Sequence, residues 1–189
     1  MKRILLSAII AMASVGAVFA QKGESAVGVN LGVAPSLESG YSLTNFGIGA
    51  KYQYGITDAL RAEADLDYWF KAKGISAFDA SANIHYLFNV SETFKVYPLV
   101  GIGYARLKAD WSIGFDNDAD DYTEYYNEDG EGYEEIDGGS ASVNKLLVNA
   151  GIGAEYALTE NLSLGLEVKY QYIKDFSRLP ISLGLTYKF

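Results

Sequence analysis

The chain of 189 residues has no cysteine, three prolines, two methionines and a single histidine. Without cysteine it has neither disulfide staples nor a lipid anchor on a mature N-terminal cysteine, so stability must come from backbone pairing and packing. One histidine and no cysteine also remove the usual zinc ligand sets. Basic residues are scarce, 15 Lys and Arg against 24 Asp and Glu, for a net charge of -9. A protein this acidic is a poor partner for nucleic acid, whose affinity rests on neutralised phosphates. Past residue 20 no apolar run approaches the roughly 20 residues of a membrane helix, so any crossing of a bilayer falls to strands. No Pro/Gly/Ser-rich linker divides what remains, which predicts one domain over 21–189.

What precedes that domain is distinctive. Lys2 and Arg3 open an apolar run from Ile4 to Val18 that ends in Val18-Phe19-Ala20 before polar Gln21-Lys22-Gly23-Glu24. This reads as a secretory signal peptide, residues 1–20, cleaved after Ala20. Its removal takes Lys2 and Arg3 away and leaves 13 basic against 24 acidic residues, a net charge of -11.

The domain reads at period two as eight segments, each of about the 9 to 11 residues that a tilted strand needs to cross a bilayer. One face of each is apolar. The first carries Val27, Val29, Leu31 and Val33; the second Phe46, Ile48, Ala50, Tyr52 and Tyr54; the third Leu60, Ala62, Ala64, Leu66, Tyr68 and Phe70. The fourth carries Phe78 to Phe88, the fifth Phe94 to Tyr104, the sixth Leu146 to Tyr156, the seventh Leu162 to Tyr172 and the eighth Leu179 to Phe189, all at alternate positions. None of these positions is charged or an amide. Aromatics gather at segment ends with aliphatics between them, as two interfacial girdles require. The opposite face is polar and rich in glycine, including Gly28, Gly49, Gly103, Gly153 and Gly184, where the concave wall of a narrow barrel leaves little room. The expected fold is all-β: an eight-stranded antiparallel up-and-down transmembrane β-barrel.

Three turns repeat one pattern, Ile56-Thr57-Asp58-Ala59-Leu60, Val90-Ser91-Glu92-Thr93-Phe94 and Leu158-Thr159-Glu160-Asn161-Leu162. Each follows an even-numbered segment, so all lie at one end, where a hydroxyl and a carboxylate can close a tight turn on backbone N–H groups. The other connections, 35–44, 71–77, 105–145 and 173–178, are more variable and mostly longer. Short turns inside and longer loops outside is the outer-membrane arrangement.

Two stretches carry a resemblance. Pro98-Leu99-Val100-Gly101-Ile102-Gly103-Tyr104 alternates glycine with apolar residues, and the chain ends in Gly184-Leu185-Thr186-Tyr187-Lys188-Phe189. The chain resembles the small eight-stranded outer-membrane barrels that include the OmpA transmembrane domain, OmpX and the neisserial opacity proteins. The resemblance implies that Gly184, Tyr187 and Phe189 form an assembly signal read by the barrel-assembly machinery. It also implies a Gram-negative outer membrane whose lipid surrounds the protein.

Inside the expected barrel, Lys51, Arg61, Lys145, Lys169 and Lys188 face Glu63, Asp65, Asp67, Asp79, Glu155 and Glu167. Near balance favours an internal salt-bridge network over an ion pathway, whose selectivity needs a ring of one sign. The hairpin around Thr57-Asp58 sets Lys51 across from Glu63 and Asp65. The lone inward His85 reads as a network member; with no Ser/His/acid set at the outer rim, no catalytic residue is expected and no cofactor.

The segment 109–142 holds twelve acids, half of those in the chain, and no Lys or Arg. So long a connection is functional or disordered. Asp116, Asp118, Asp120, Asp121, Glu128 and Asp129, with Tyr125 and Tyr126, are its candidate contact surface. Neither acidic stretch supplies the bidentate Glu of a calcium loop, which excludes an EF-hand and leaves weak divalent-cation capture by loose carboxylates. The chain thus reads as a structural or surface-interaction barrel in contact with host or extracellular macromolecules. A small channel and a lipid-modifying enzyme are the two alternatives.

Overall fold

The structure, a computed structural model, describes residues 22–37, 43–111 and 139–189. The expected signal peptide and the acids and tyrosines of the candidate loop surface, Asp116 to Asp129, lie outside them. The described residues form strands β1 (Ser25–Pro35), β2 (Thr44–Gly55), β3 (Leu60–Ala72), β4 (Ile75–Tyr86), β5 (Phe94–Trp111), β6 (Gly139–Ala157), β7 (Leu162–Ile173) and β8 (Ile181–Lys188). Each pairs antiparallel with its neighbours in sequence, and β1 pairs with β8, Ala26 opposite Lys188, closing the sheet into a barrel without free edges in its wall. Beyond Tyr86 the pair Phe88–Asn89 keeps the β4 register against β5, Phe88 opposite Val96. The ladder lapses between them because Pro98, opposite Tyr86 in that register, has no N–H to donate.

Side-chain alternation follows the sequence pattern strand by strand. β2 alternates exposed and buried from Thr44 to Gly55 without a fault. The apolar set points outward: Leu31, Phe46, Ile102, Leu146 and Ile152 are each more than 60% exposed. A continuous apolar belt of that kind is tolerated only against lipid. Arginine in place of Ala64 or Ile152, both mid-strand on this face, should therefore cost about 2–4 kcal/mol. Urea titrations of refolded protein in lipid vesicles test this, and neutral substitutions would refute the register.

At one end, the hydroxyls of Thr57, Ser91 and Thr159 accept the backbone N–H of Leu60, Phe94 and Leu162 at 3.0 to 3.1 Å, closing the three expected turns. At the opposite end the connection expected over 71–77 is shorter, because strand runs to Ala72 and resumes at Ile75. β3 and β4 are joined there by Lys73-Gly74 alone, both at positive φ (46° and 81°). Two successive positive φ values give the hairpin turn whose twist matches its strands, which glycine at the second position permits. β5 and β6 instead run on as a hairpin, Trp111 opposite Gly139. Residues 109–111 of the 109–142 segment thus pair with 139–141 as strand. β7 covers β6 only as far as Leu147, opposite Ile173, so Gly139–Leu146 extends beyond it.

Candidate functional site

The lumen is filled in layers, and the inward positions of every strand contribute. Nearest the turn end, Arg61 donates to Glu155 Oε2 at 2.7 Å and to His85 Nδ1 at 3.3 Å. Its guanidinium lies 4.9 Å from the centre of the Tyr97 ring, on which His85 stacks at 4.7 Å. Arginine has only protons to give, so Nδ1 accepts and the neutral ring carries its proton on Nε2, 3.2 Å from Glu63 Oε1. Leu87 and Leu99 pack with Tyr97 into a small buried apolar cluster in the same region.

The middle layer is a web of ions. Lys51 donates to Glu167 Oε1 at 3.1 Å and lies 3.7 Å from Glu63 Oε2. Lys169 bridges Asp65 at 3.0 Å and Glu167 at 3.4 Å. Amides and a phenol supply further donors: Gln53 to Glu63 at 2.7 Å, Asn83 to Asp65 at 2.8 Å, Asn149 to Asn83 at 2.9 Å and Tyr97 to Glu167 at 2.8 Å. Glycine makes room for these groups. A Cβ on Gly49 would collide with Asp67 Oδ1 and Asn30 Oδ1.

Above this web, Asp79 accepts from Trp69 Nε1 at 2.8 Å and pairs with Arg178, which also donates to Gln171 Oε1 at 2.8 Å. The Arg178 guanidinium lies 5.0 Å from the Trp69 ring. An apolar cluster then occupies the lumen toward the loop end, formed by Ala34, Trp69, Ala77, Ala105, Leu107, Leu147 and Ile173 with Phe176 against them.

The structure thus brings together Lys51, Arg61, Glu63, Asp65, Glu155, Glu167 and Lys169, all buried. Three expectations need correction. Asp65 is opposite Lys51 in register yet pairs with Lys169, because the lysine stem carries its ammonium across the lumen to Glu167. Lys145 and Lys188 are not interior: each is about 25% exposed at a rim, paired with Asp175 and Glu24. Near balance therefore fails. Among the described residues six buried acids (Glu63, Asp65, Asp67, Asp79, Glu155, Glu167) face four buried bases (Lys51, Arg61, Lys169, Arg178), and Asp67 makes no ion pair.

Arg178, fully buried, is the residue that the sequence reading missed. It falls in a connection, where side-chain direction is seldom inferred, although carrying the β8 alternation back from Ile181 turns Leu179 outward and Arg178 in. Bridges from Arg178 to Ser36 and Gln171 hold that register.

At the chain end, Gly184 faces inward opposite Asn30, while Tyr187 and Phe189 are exposed on the outer wall (52% and 68%). The Phe189 N–H is bound to Ser25 O at 2.9 Å. At the loop end, beyond the apolar belt, Asp110 accepts from both Lys71 and Lys108, which hold its carboxyl below the usual carboxylate range.

The family model for the outer membrane protein beta-barrel domain matches residues 4–189. The chain belongs to that family. Among solved structures it is similar to Neisserial surface protein A (NspA), at 19% identity and a TM-score of 0.66, covering 87% of this chain and 97% of that one. It is similar also to Ail, the attachment invasion locus protein of Yersinia pestis (17%, 0.53, covering 89% and 99%). OprG of Pseudomonas aeruginosa is a third (11%, 0.53, covering 89% and 97%). No curated protein matches the chain in sequence. The protein is thus an outer-membrane β-barrel, and its apolar belt is the surface that faces the lipid of that membrane.

Proposed function

We propose that this outer-membrane barrel is a closed structural and surface-contact protein, with both termini in the periplasm and the 109–142 segment outside. The observation that carries the reading is the filled lumen: an ionic web between an apolar cluster toward one end and the Tyr97 cluster toward the other. Apolar constrictions of this kind exclude water and ions. Refolded protein in planar bilayers should give no discrete conductance steps, and reproducible steps would favour the channel reading. Catalysis has no support in the lumen, where the one histidine is stacked, hydrogen-bonded and fully buried.

The orientation follows from the tight turns, which suit the periplasmic side. Gly184, Tyr187 and Phe189 then lie at that side as the proposed assembly signal. The contact role rests on the acidic segment. Ail of Yersinia pestis has been solved with the heparin analogue sucrose octasulfate. Twelve acids without a base between 109 and 142 would repel so anionic a ligand, and favour divalent cations or a basic macromolecule. Deleting residues 112–138 and closing the hairpin with a short turn should leave the barrel folded and heat-resistant on gels, since no membrane-facing strand is cut. It should abolish binding to cationic partners in a protein and glycan screen. Retained binding would place the contact elsewhere.

A further inference from the structure

We propose that Lys71, Arg106 and Lys108 form a site for the phosphate of an outer-leaflet glycolipid. The inference rests on the orientation proposed above. Among the described residues, the outward faces of the eight strands are free of charge until the loop end. There they carry Lys71, Arg106, Lys108 and Asp110, three cations to one acid. No such group stands on the outward faces at the turn end, where tyrosines and Phe189 occupy the rim. The asymmetry matches a membrane whose two leaflets carry different headgroups.

Depth supports the assignment. Arg106 is opposite Phe78 on β4 and two residues along β5 from Tyr104; Lys108 is two further. At ~3.4 Å per residue on a tilted strand, the two cations stand roughly 5 and 10 Å beyond Tyr104, at the outer edge of the aromatic girdle. That is headgroup level. Phe78 and Phe70 beside them and Tyr104 below them, 45–60% exposed, offer a surface for acyl chains.

The geometry fits an oxyanion. Lys71 and Lys108 converge on the two oxygens of one carboxylate, Asp110, at 2.9 and 3.0 Å, while staying more than half exposed themselves. Two ammonium groups are therefore already one oxyanion apart. A phosphate monoester offers more charge and a third oxygen, and the Arg106 fork, tethered among the described residues by a 3.5 Å contact to Ser142 Oγ, can take it in bidentate fashion. A soluble polyanion would be repelled by the chain's net charge of -9. A lipid phosphate arrives laterally, within the membrane plane, along outward strand faces that carry no charge.

The test uses the refolded chain in phosphatidylcholine nanodiscs, titrated separately with bisphosphorylated lipid A, phosphatidylglycerol and a soluble heparin fragment. Bound lipid is counted by native mass spectrometry. Lipid A should be enriched over phosphatidylglycerol, and the double variant Arg106→Gln, Lys108→Gln should reduce its binding roughly 10- to 30-fold. Asp110→Asn should strengthen it by freeing both ammonium groups. All three side chains lie outside the barrel interior, and heat-modified gel migration verifies the fold of each variant. Equal binding of the two lipids, an unaffected double variant, or weaker binding in Asp110→Asn would overturn the proposal. So would heparin binding that is lost in the double variant while lipid A binding is unchanged. Nanodiscs present both rims alike, so this result is independent of the orientation, which labelling of Ser140→Cys on intact cells decides separately.

Discussion

Replacing Arg178 by methionine should destabilise the barrel by about 3–5 kcal/mol, the expected cost of leaving a buried charge without its partner. Asp79 would keep only the Trp69 N–H, because Arg178 is its sole ion-pair partner among the described residues and both side chains are about 1% exposed. The lumen worsens the loss. Among the described residues six buried acids already outnumber four buried bases, so each cation removed adds to an existing excess of negative charge. Arg178 also ties the β7–β8 connection to the sheet through Gln171 and lies against the Trp69 ring of the apolar cluster. Adding Asp79→Asn to Arg178→Met should restore much of the stability, since an amide can still accept from Trp69 without carrying charge. Equilibrium urea unfolding in lipid vesicles measures both. If the double variant is as unstable as the sum of the single ones, the pair is not coupled.

Lys51→Met should rank second, at roughly 3 kcal/mol, near the lower end for a broken buried pair. The reason is redundancy. Glu167 would retain Tyr97 and Lys169, and Glu63 would retain Gln53, so neither carboxylate is stranded as Asp79 is. Adding Glu167→Gln should recover more than adding Glu63→Gln, because Lys51 is 3.1 Å from the first and 3.7 Å from the second. Asp65→Asn should recover little, its cation being Lys169. A cycle in which Asp65 couples most strongly to Lys51 would show that strand register, rather than side-chain reach, sets the pairing.

These contrasts mark where local pattern stops carrying information. Alternation along each strand was legible from sequence because a two-residue period leaves one choice, in or out, and a lipid-facing wall admits no charge. Eight segments, their outward faces, the hydroxyl-closed turns and the inward glycines all follow from that single constraint. Trp69, Leu107, Leu147 and Ile173 have inward parity as well, yet nothing in one strand says that four such residues from different strands meet in one apolar cluster. The same holds for the ions. Parity puts Lys51, Glu63, Asp65, Glu167 and Lys169 in the lumen, whereas partner choice depends on which side chains reach one another across it.

Connections were the least legible part. Lys73-Gly74 forms a two-residue turn because both residues take positive φ, and that backbone state is settled by the twist of the paired strands as well as by the glycine. Arg178 sits in another connection and is drawn inward by Asp79, 99 residues away in sequence. The sequence by itself determined the barrel, its lipid face and the acidity of its longest segment, because these are properties of alternation and composition. Only the tertiary structure decided which charges pair, where apolar side chains gather in the lumen and how Lys71 and Lys108 come to share one carboxylate, because barrel closure and the short Lys73-Gly74 turn bring distant residues within the few ångströms over which such contacts act.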